Sequence, residues 1–133
     1  MTTEEALKKY NKIAVIGYST DPKRPAGRIA KYMADHGYTV YGVNPKLEGK
    51  CVEGIDCYKS IKDIPGEIEI VNLFRHSDSI PGHVKEVLEL ENKPKVIWTQ
   101  LGVFSDEARG MAENNGMEFI ENKCIYVEHS KMN

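Results

Sequence analysis

Four stretches hold the residues with chemistry to offer: Gly17-Tyr-Ser-Thr-Asp-Pro-Lys-Arg-Pro-Ala-Gly27, Asn44-Pro-Lys46, Phe74-Arg-His-Ser77 and Gln100-Leu-Gly-Val103. The first sets Lys23, Arg24 and Arg28 against a single acid, Asp21, and runs into a segment of helical period. A loop entering a helix N-terminus presents free backbone N–H groups and the positive end of the helix dipole, which suits a phosphate. Taken singly, Ser19, Thr20 and Asp21 are ordinary turn and capping residues; the cluster as a whole favours an anionic ligand. Asn44-Pro-Lys46 offers an amide, a rigid apolar ring and a cation, a set that suits an adenine edge and a phosphorylated ribose, and it equally suits an Asn-Pro turn start. A dinucleotide fingerprint would need G-x-G-x-x-G after the first strand and a carboxylate after the second. Here Gly17 is followed by Tyr18-Ser19, and Asn44 stands where the carboxylate would be.

The four histidines and three cysteines do not form a catalytic or metal-ligating pattern. Cys51 and Cys57 lack C-x-x-C spacing, which argues against a zinc or thioredoxin-like site. His36, before Gly37, reads as a dipole partner at a helix end. His83 and His129 read as solvated side chains, and His76 as a ligand contact or a loop hydrogen bond. No G-x-S-x-G elbow marks a hydrolase.

These stretches need elements to hold them. Ile13–Ile16, Thr39–Val43, Ile68–Phe74, Val96–Thr99 and Met117–Ile120 are short and apolar almost throughout, as strands buried on both faces are. Between them, Ala26, Ile29, Ala30 and Met33 recur at helical spacing, as do Ile80, Val84, Val87 and Leu88, and Ala108, Met111 and Ala112. Gly37 and Gly116 follow two of these helices as C-terminal stops. Ser60 and Asp63 have capping-box spacing for a short helix ended by Pro65-Gly66; Ser77 or Ser79 is expected to cap the helix through Pro81, and Ser105 the next one. Cys57-Tyr58 reads as a short edge strand after an irregular excursion. Alternating strands and helices predict an α/β fold: a Rossmann-like, doubly wound parallel sheet of five or six strands with helices on both faces. In such a sheet ligands bind beyond the carboxyl ends of the strands, which is where the four stretches fall.

The chain has 133 residues and reads as one domain, 1–133, with residues 1–10 forming a peripheral N-terminal helix. Apolar residues make up 41% and charged residues 29%, a globular balance. Lys plus Arg number 18 and Asp plus Glu 20, so no basic field for nucleic acid exists. Apolar runs are too short for a membrane span, and three unequally spaced cysteines suit the cytoplasm.

Gly17-x-Ser19, Arg24-Pro25, Gly37-Tyr38, Val43-Asn-Pro45, Tyr58-x-Ser60, Asp63-Ile-Pro65, Phe74-Arg75, Trp98-x-Gln-x-Gly-Val103 and Cys124-Ile125 occur in order between about Lys12 and Glu128. In these the chain resembles the small single-domain CoA-binding protein family (YccU-like). That family is similar to the N-terminal CoA-binding domain of the succinyl-CoA ligase alpha subunit. The resemblance implies coenzyme A as ligand, with its pyrophosphate on Gly17, Tyr18, Ser19 and Thr20, helped by Lys23, Arg24 and Pro25. It puts the adenosine end against Val43, Asn44, Pro45 and Lys46, with Ile64 an adenine contact. The pantetheine arm would pass Phe74 and Arg75 toward Gln100 and Gly102. Two departures from the family pattern are Ala26, in place of a serine, and Asn122-Lys123, in place of Asp-Arg.

The expected function is therefore binding of CoA or an acyl-CoA without catalysis, since the phosphohistidine domain of the resembled ligase has no counterpart in the sequence. Two alternatives are a CoA-linked redox or signalling module using Cys124, and a CoA-binding subunit of a larger acyl-CoA enzyme. Cys124 reads first as a small buried hydrophobe. A protein partner or a homodimer is compatible with either.

Overall fold

Along the first strand, β1 (Lys12–Ile16), side chains alternate between two apolar clusters, Ile13 and Val15 in one, Ala14 and Ile16 in the other. That alternation obliges helices to cover both faces. In the computed structural model, which describes residues 1–132, they do. Helices α1 (Thr3–Lys9), α2 (Pro25–Asp35) and α5 (Ile125–Ser130) cover one face with Ala6, Leu7, Ala26, Ile29, Ala30, Met33 and Ile125. Helices α3 (Ile80–Leu88) and α4 (Asp106–Glu113) cover the other with Ile80, Val84, Val87, Ala108 and Ala112.

The remaining strands are β2 (Thr39–Val43), β3 (Cys51–Val52), β4 (Ile55–Tyr58), β5 (Ile70–Leu73), β6 (Val96–Thr99) and β7 (Glu118–Ile120). They lie in the order β3-β4-β2-β1-β5-β6-β7. All neighbouring pairs are parallel except β3 with β4. Chain order runs outward from β1 through β2 to β4, then returns to the other side at β5. The carboxyl ends of β1 and β5 therefore flank the switch point where a doubly wound sheet opens a crevice.

The sheet has seven strands rather than the five or six expected, because the irregular excursion contains a hairpin. Cys57-Tyr58 is part of a longer strand, Ile55–Tyr58, lying inside the sheet between β2 and β3, so it is not an edge. Two residues of β3 form the edge, too few to leave a periodic signal. The N-terminal helix packs on one face of the sheet. Thr2 and Glu5 close a capping box, Ala6 and Leu7 are buried, and the Tyr38 hydroxyl donates to the Leu7 carbonyl at 2.8 Å.

The expected caps divide. Ser105 accepts from the Ala108 N–H at 3.1 Å, as its spacing predicts. Ser79 caps nothing and donates back to the His76 carbonyl at 2.9 Å, while Ser77 accepts from the Phe104 N–H across a neighbouring loop at 2.9 Å. Ser60 accepts from Lys62 and opens a single 3-10 turn, Ile61–Asp63, in place of a capping box.

Candidate functional site

At the carboxyl end of β1 the chain must turn sharply beside β5. Gly17 does so at φ +90°, and a Cβ there would lie 2.3 Å from the Phe74 carbonyl oxygen. Only glycine allows this approach, which brings the first loop and the Phe74-Arg75 loop to opposite walls of one crevice. The strand ladders run on into the loops: Gly17 donates to the Val43 carbonyl at 3.1 Å, Phe74 to Ile16 at 2.9 Å, and Asn44 to Tyr58 at 3.0 Å.

The loop after β1 is built from its own polar groups. Ser19 Oγ accepts from the Asp21 N–H at 3.0 Å, and Asp21 Oδ1 from the Lys23 N–H at 2.9 Å. The Arg28 guanidinium turns back from α2 and donates to the carbonyls of Pro22 at 2.7 Å and Arg24 at 3.3 Å. Arg24 is the N-cap of α2 and supplies no side-chain acceptor, and Pro25 has no N–H to give. Among the described residues nothing accepts from the backbone N–H groups of Ser19, Thr20, Ala26 or Gly27. An uncapped helix N-terminus beside two further free donors is an arrangement that favours negative charge.

Two adjoining clefts share Gly17, Arg24 and Arg75. One, of about 570 Å³, is lined in addition by Ser19, Thr20, Asp21, Asn44, Pro45, Lys46 and Leu47. The other, of about 400 Å³, continues past Pro25, Ala26, Phe74, His76, Gln100 and Val103. The first is polar, and Arg24, Lys46 and Arg75 bring three cations to it; among the described residues none of the three makes a salt bridge. The second is largely apolar. Its polar groups are Arg24, Arg75 and His76 toward the shared wall and Gln100, whose Oε1 is buried without a hydrogen-bond partner among the described residues. A buried acceptor left unpaired is costly unless something occasionally pairs with it.

Of the residues singled out from sequence, Gly17, Ser19, Thr20, Arg24, Pro25, Asn44, Pro45, Lys46, Phe74, Arg75 and Gln100 line one or both clefts. Others do not. The Tyr18 ring is buried, packed over Gly42, so only its backbone faces the loop. Burial also pushes its phenol above the ordinary value. Val43 is buried in the core beneath the cleft. Ile64 is buried too, and borders a separate hollow with Ile61, Pro65 and Ile68. Lys23 stays on the exposed outside of its loop. Gly102 donates to Asn122 Oδ1 at 2.8 Å, away from the lining.

Asn44 does more than its motif suggested. Its Nδ2 donates to the Tyr18 carbonyl at 2.8 Å and its Oδ1 accepts from the Lys46 N–H at 2.9 Å. The amide thus staples the second loop to the first and starts a single 3-10 turn that carries Lys46 to the cleft. The Asn-Pro turn reading is what the backbone realises. Sequence reasoning missed Asp21, Ala26, Leu47 and Val103 as cleft lining; all but Leu47, which directly follows Lys46, sit within stretches already flagged.

Two of the histidines, His83 and His129, are less exposed than the solvated side chains expected, whereas His36 sits at the helix end and His76 on the cleft wall. His83 is half-buried, and burial first, with Arg75 second, holds its imidazole below the ordinary histidine value. His129 lies with Nδ1 2.8 Å from the Tyr32 hydroxyl, and burial, then His36, depresses it as well. His36 Nδ1 lies 2.7 Å from the Tyr32 carbonyl in the last turn of α2. Cys124 is 7% exposed, inside the apolar cluster with Trp98 and Ile125, and is on the wall of neither cleft.

Comparison with known proteins agrees with this geometry. The CoA-binding domain family matches residues 11–130. The protein YneT of Bacillus subtilis (strain 168) is 37% identical over 127 residues, which is 96% of this chain and 91% of YneT. The alpha subunit of the ADP-forming acetate–CoA ligase II of Pyrococcus furiosus is 31% identical across 91% of this chain, a match that spans 28% of that subunit. The solved structure of a hypothetical protein from Pyrococcus horikoshii OT3 superimposes with a TM-score of 0.88 at 37% identity, covering 98% of this chain and 92% of its own. Matched over nearly all its length in sequence and in fold, the chain belongs to the family of CoA-binding domains.

Proposed function

We propose that the two clefts together bind coenzyme A and that the chain holds it without converting it. The observation that carries this reading is the convergence of Arg24, Lys46 and Arg75 with the open N-terminus of α2 on one crevice. Coenzyme A carries a pyrophosphate and a 3′-phosphate, and its pantetheine arm ends in a thiol. The free N–H groups of Ser19 and Thr20 and the guanidinium of Arg24 would hold the pyrophosphate. Pro45 and Lys46 would meet the adenosine end, Pro45 by apolar contact and Lys46 by charge, with Asn44 fixing their position. Phe74, Arg75 and Gln100 would line the path of the arm. The residues present fit this ligand: the orphaned Gln100 Oε1 accepts what a pantetheine amide N–H donates.

Binding without conversion is supported by what the cleft offers. Its walls bring cations, amides and backbone donors, groups that hold and orient, together with one imidazole, His76, and one carboxylate, Asp21, which is engaged by the Lys23 N–H. The thiol of Cys124 lies in the core, which leaves a redox role there without access. Isothermal titration with coenzyme A, dephospho-coenzyme A and NAD tests the reading. Coenzyme A should bind more tightly than its dephospho form by about 1 kcal/mol or more if Lys46 meets the 3′-phosphate, and NAD should bind weakest. Indifference to the 3′-phosphate would remove the role given to Lys46.

A further inference from the structure

Next in sequence to the cleft-lining Gln100 and Val103, the loop carries two large apolar side chains in water. Leu101 is 58% exposed and Phe104 is 52% exposed, on either side of the cleft-lining Val103. Large apolar side chains left in water in this way cost free energy unless something covers them. This loop is also held still. Gly102 donates to Asn122 Oδ1 at 2.8 Å, and Phe104 donates to Ser77 Oγ at 2.9 Å. The Thr99 hydroxyl donates to the Val103 carbonyl at 2.9 Å, and the Val103 N–H donates to the Gln100 carbonyl at 3.1 Å. Pinned from both flanks, the loop does not relax to hide its apolar residues.

We infer that the physiological ligand is an acyl-coenzyme A whose acyl chain lies against Leu101 and Phe104 at the lip of the apolar cleft. The inference rests on the coenzyme A reading above. Three observations lead to it. The polar cleft takes the charged end of the ligand, so the pantetheine arm runs through the adjoining apolar cleft toward Gln100. The unpaired Gln100 Oε1 is the buried acceptor on that path, and it pairs with the terminal amide N–H of the arm. Two methylenes beyond that amide is the sulfur, so whatever the sulfur carries emerges where the wall passes from Gln100 to the Leu101–Phe104 lip. Pro25, Ala26, Phe74 and Val103 give the approach its apolar side, and Leu101 and Phe104 adjoin Gln100 and Val103 in sequence. An apolar acyl chain is the occupant continuous with this path, whereas a free thiol would leave the lip uncovered.

The test compares coenzyme A, acetyl-coenzyme A and octanoyl-coenzyme A by isothermal titration, with the wild-type chain and the double variant Leu101→Ser/Phe104→Ser. Sedimentation of each protein is measured alongside. Octanoyl-coenzyme A should bind the wild type about tenfold more tightly than coenzyme A, the acetyl form lying between, since several methylenes leave water. The double variant should lose that preference while binding free coenzyme A as before, which also shows that it is folded. Equal affinities for coenzyme A and octanoyl-coenzyme A in the wild type would overturn the inference and leave the coenzyme A reading standing. A wild-type dimer that the double variant dissociates, with no acyl preference, would overturn it in favour of self-association through the lip. A wild type that binds none of the three would remove the coenzyme A reading itself.

Discussion

Arg24 occupies a position where local structure and ligand chemistry make opposite demands. As the N-cap of α2 it should be Ser, Thr, Asn or Asp, whose side chains satisfy the first-turn N–H groups. An arginine leaves those donors free and adds a cation beside them. Both features favour an anion, so Arg24→Ala should weaken coenzyme A binding by about 1 to 3 kcal/mol with little change in the urea midpoint. Titration of the variant against wild type checks this; unchanged affinity would move the phosphate elsewhere. Of the basic residues in this loop, Lys23, Arg24 and Arg28 look equivalent in sequence. They differ because Lys23 sits in the turn before the helix, Arg24 is its extended N-cap, and Arg28 lies within the helix. Arg24 faces the cleft, Lys23 faces water, and Arg28 bends back to the Pro22 carbonyl. The sequence did not separate Lys23 from Arg24 as ligand groups; the structure brings Arg24 to the cleft beside Arg75, from another loop.

At the scale of elements, the site depends on how closely β1 and β5 come together at their carboxyl ends. Gly17 sits at that contact with a positive φ and its Cβ direction aimed at the Phe74 carbonyl. Gly17→Ala combines a disfavoured backbone with a clash against main chain, and should cost about 2 kcal/mol or more of stability. A urea titration measures the loss, and an unchanged midpoint would show that the loop relaxes freely. Strands β1, β2, β5, β6 and β7 and the four longer helices were legible from their apolar patterns, whereas the β3–β4 hairpin was not, its edge strand being two residues long. Helix α5 was not, since its six residues, Ile125–Ser130, bury only Ile125 and make no stripe. Packing against the cluster formed by α1 and α2 makes it a helix, which is tertiary context overriding weak local preference.

The molecule as a whole should respond to acid through its half-buried imidazoles. His83 and His129 are both held below the ordinary histidine value, chiefly by burial. Near and below the ordinary value of 6.5, the unfolded chain therefore binds protons that the native chain refuses. Stability rises with pH wherever the unfolded state binds more protons, so this contribution is complete above about pH 6.5 and declines as the pH falls toward the native values. Urea midpoints at about pH 7.5 and about pH 5.5 should show the lower stability in acid, and His83→Gln should flatten the difference. A midpoint that rises on acidification would contradict the assignment. These histidines read as solvated from sequence because burial of a polar side chain on a helix depends on what the opposite layer places over it.

What the sequence by itself determined is the α/β alternation, the strand ends at which a ligand would sit, and the family. Those features are carried by local period, by glycines and prolines with fixed backbone demands, and by motif order along the chain. The tertiary structure alone decided which cations share the cleft, that Asn44 staples two loops together, and that Ile64 lies in the core. It also decided that Leu101 and Phe104 stand exposed on a pinned loop beside an unpaired acceptor. Periodicity says which face of an element is apolar. Where a loop side chain points, and what remains unpaired beside it, follows from packing between residues far apart in sequence.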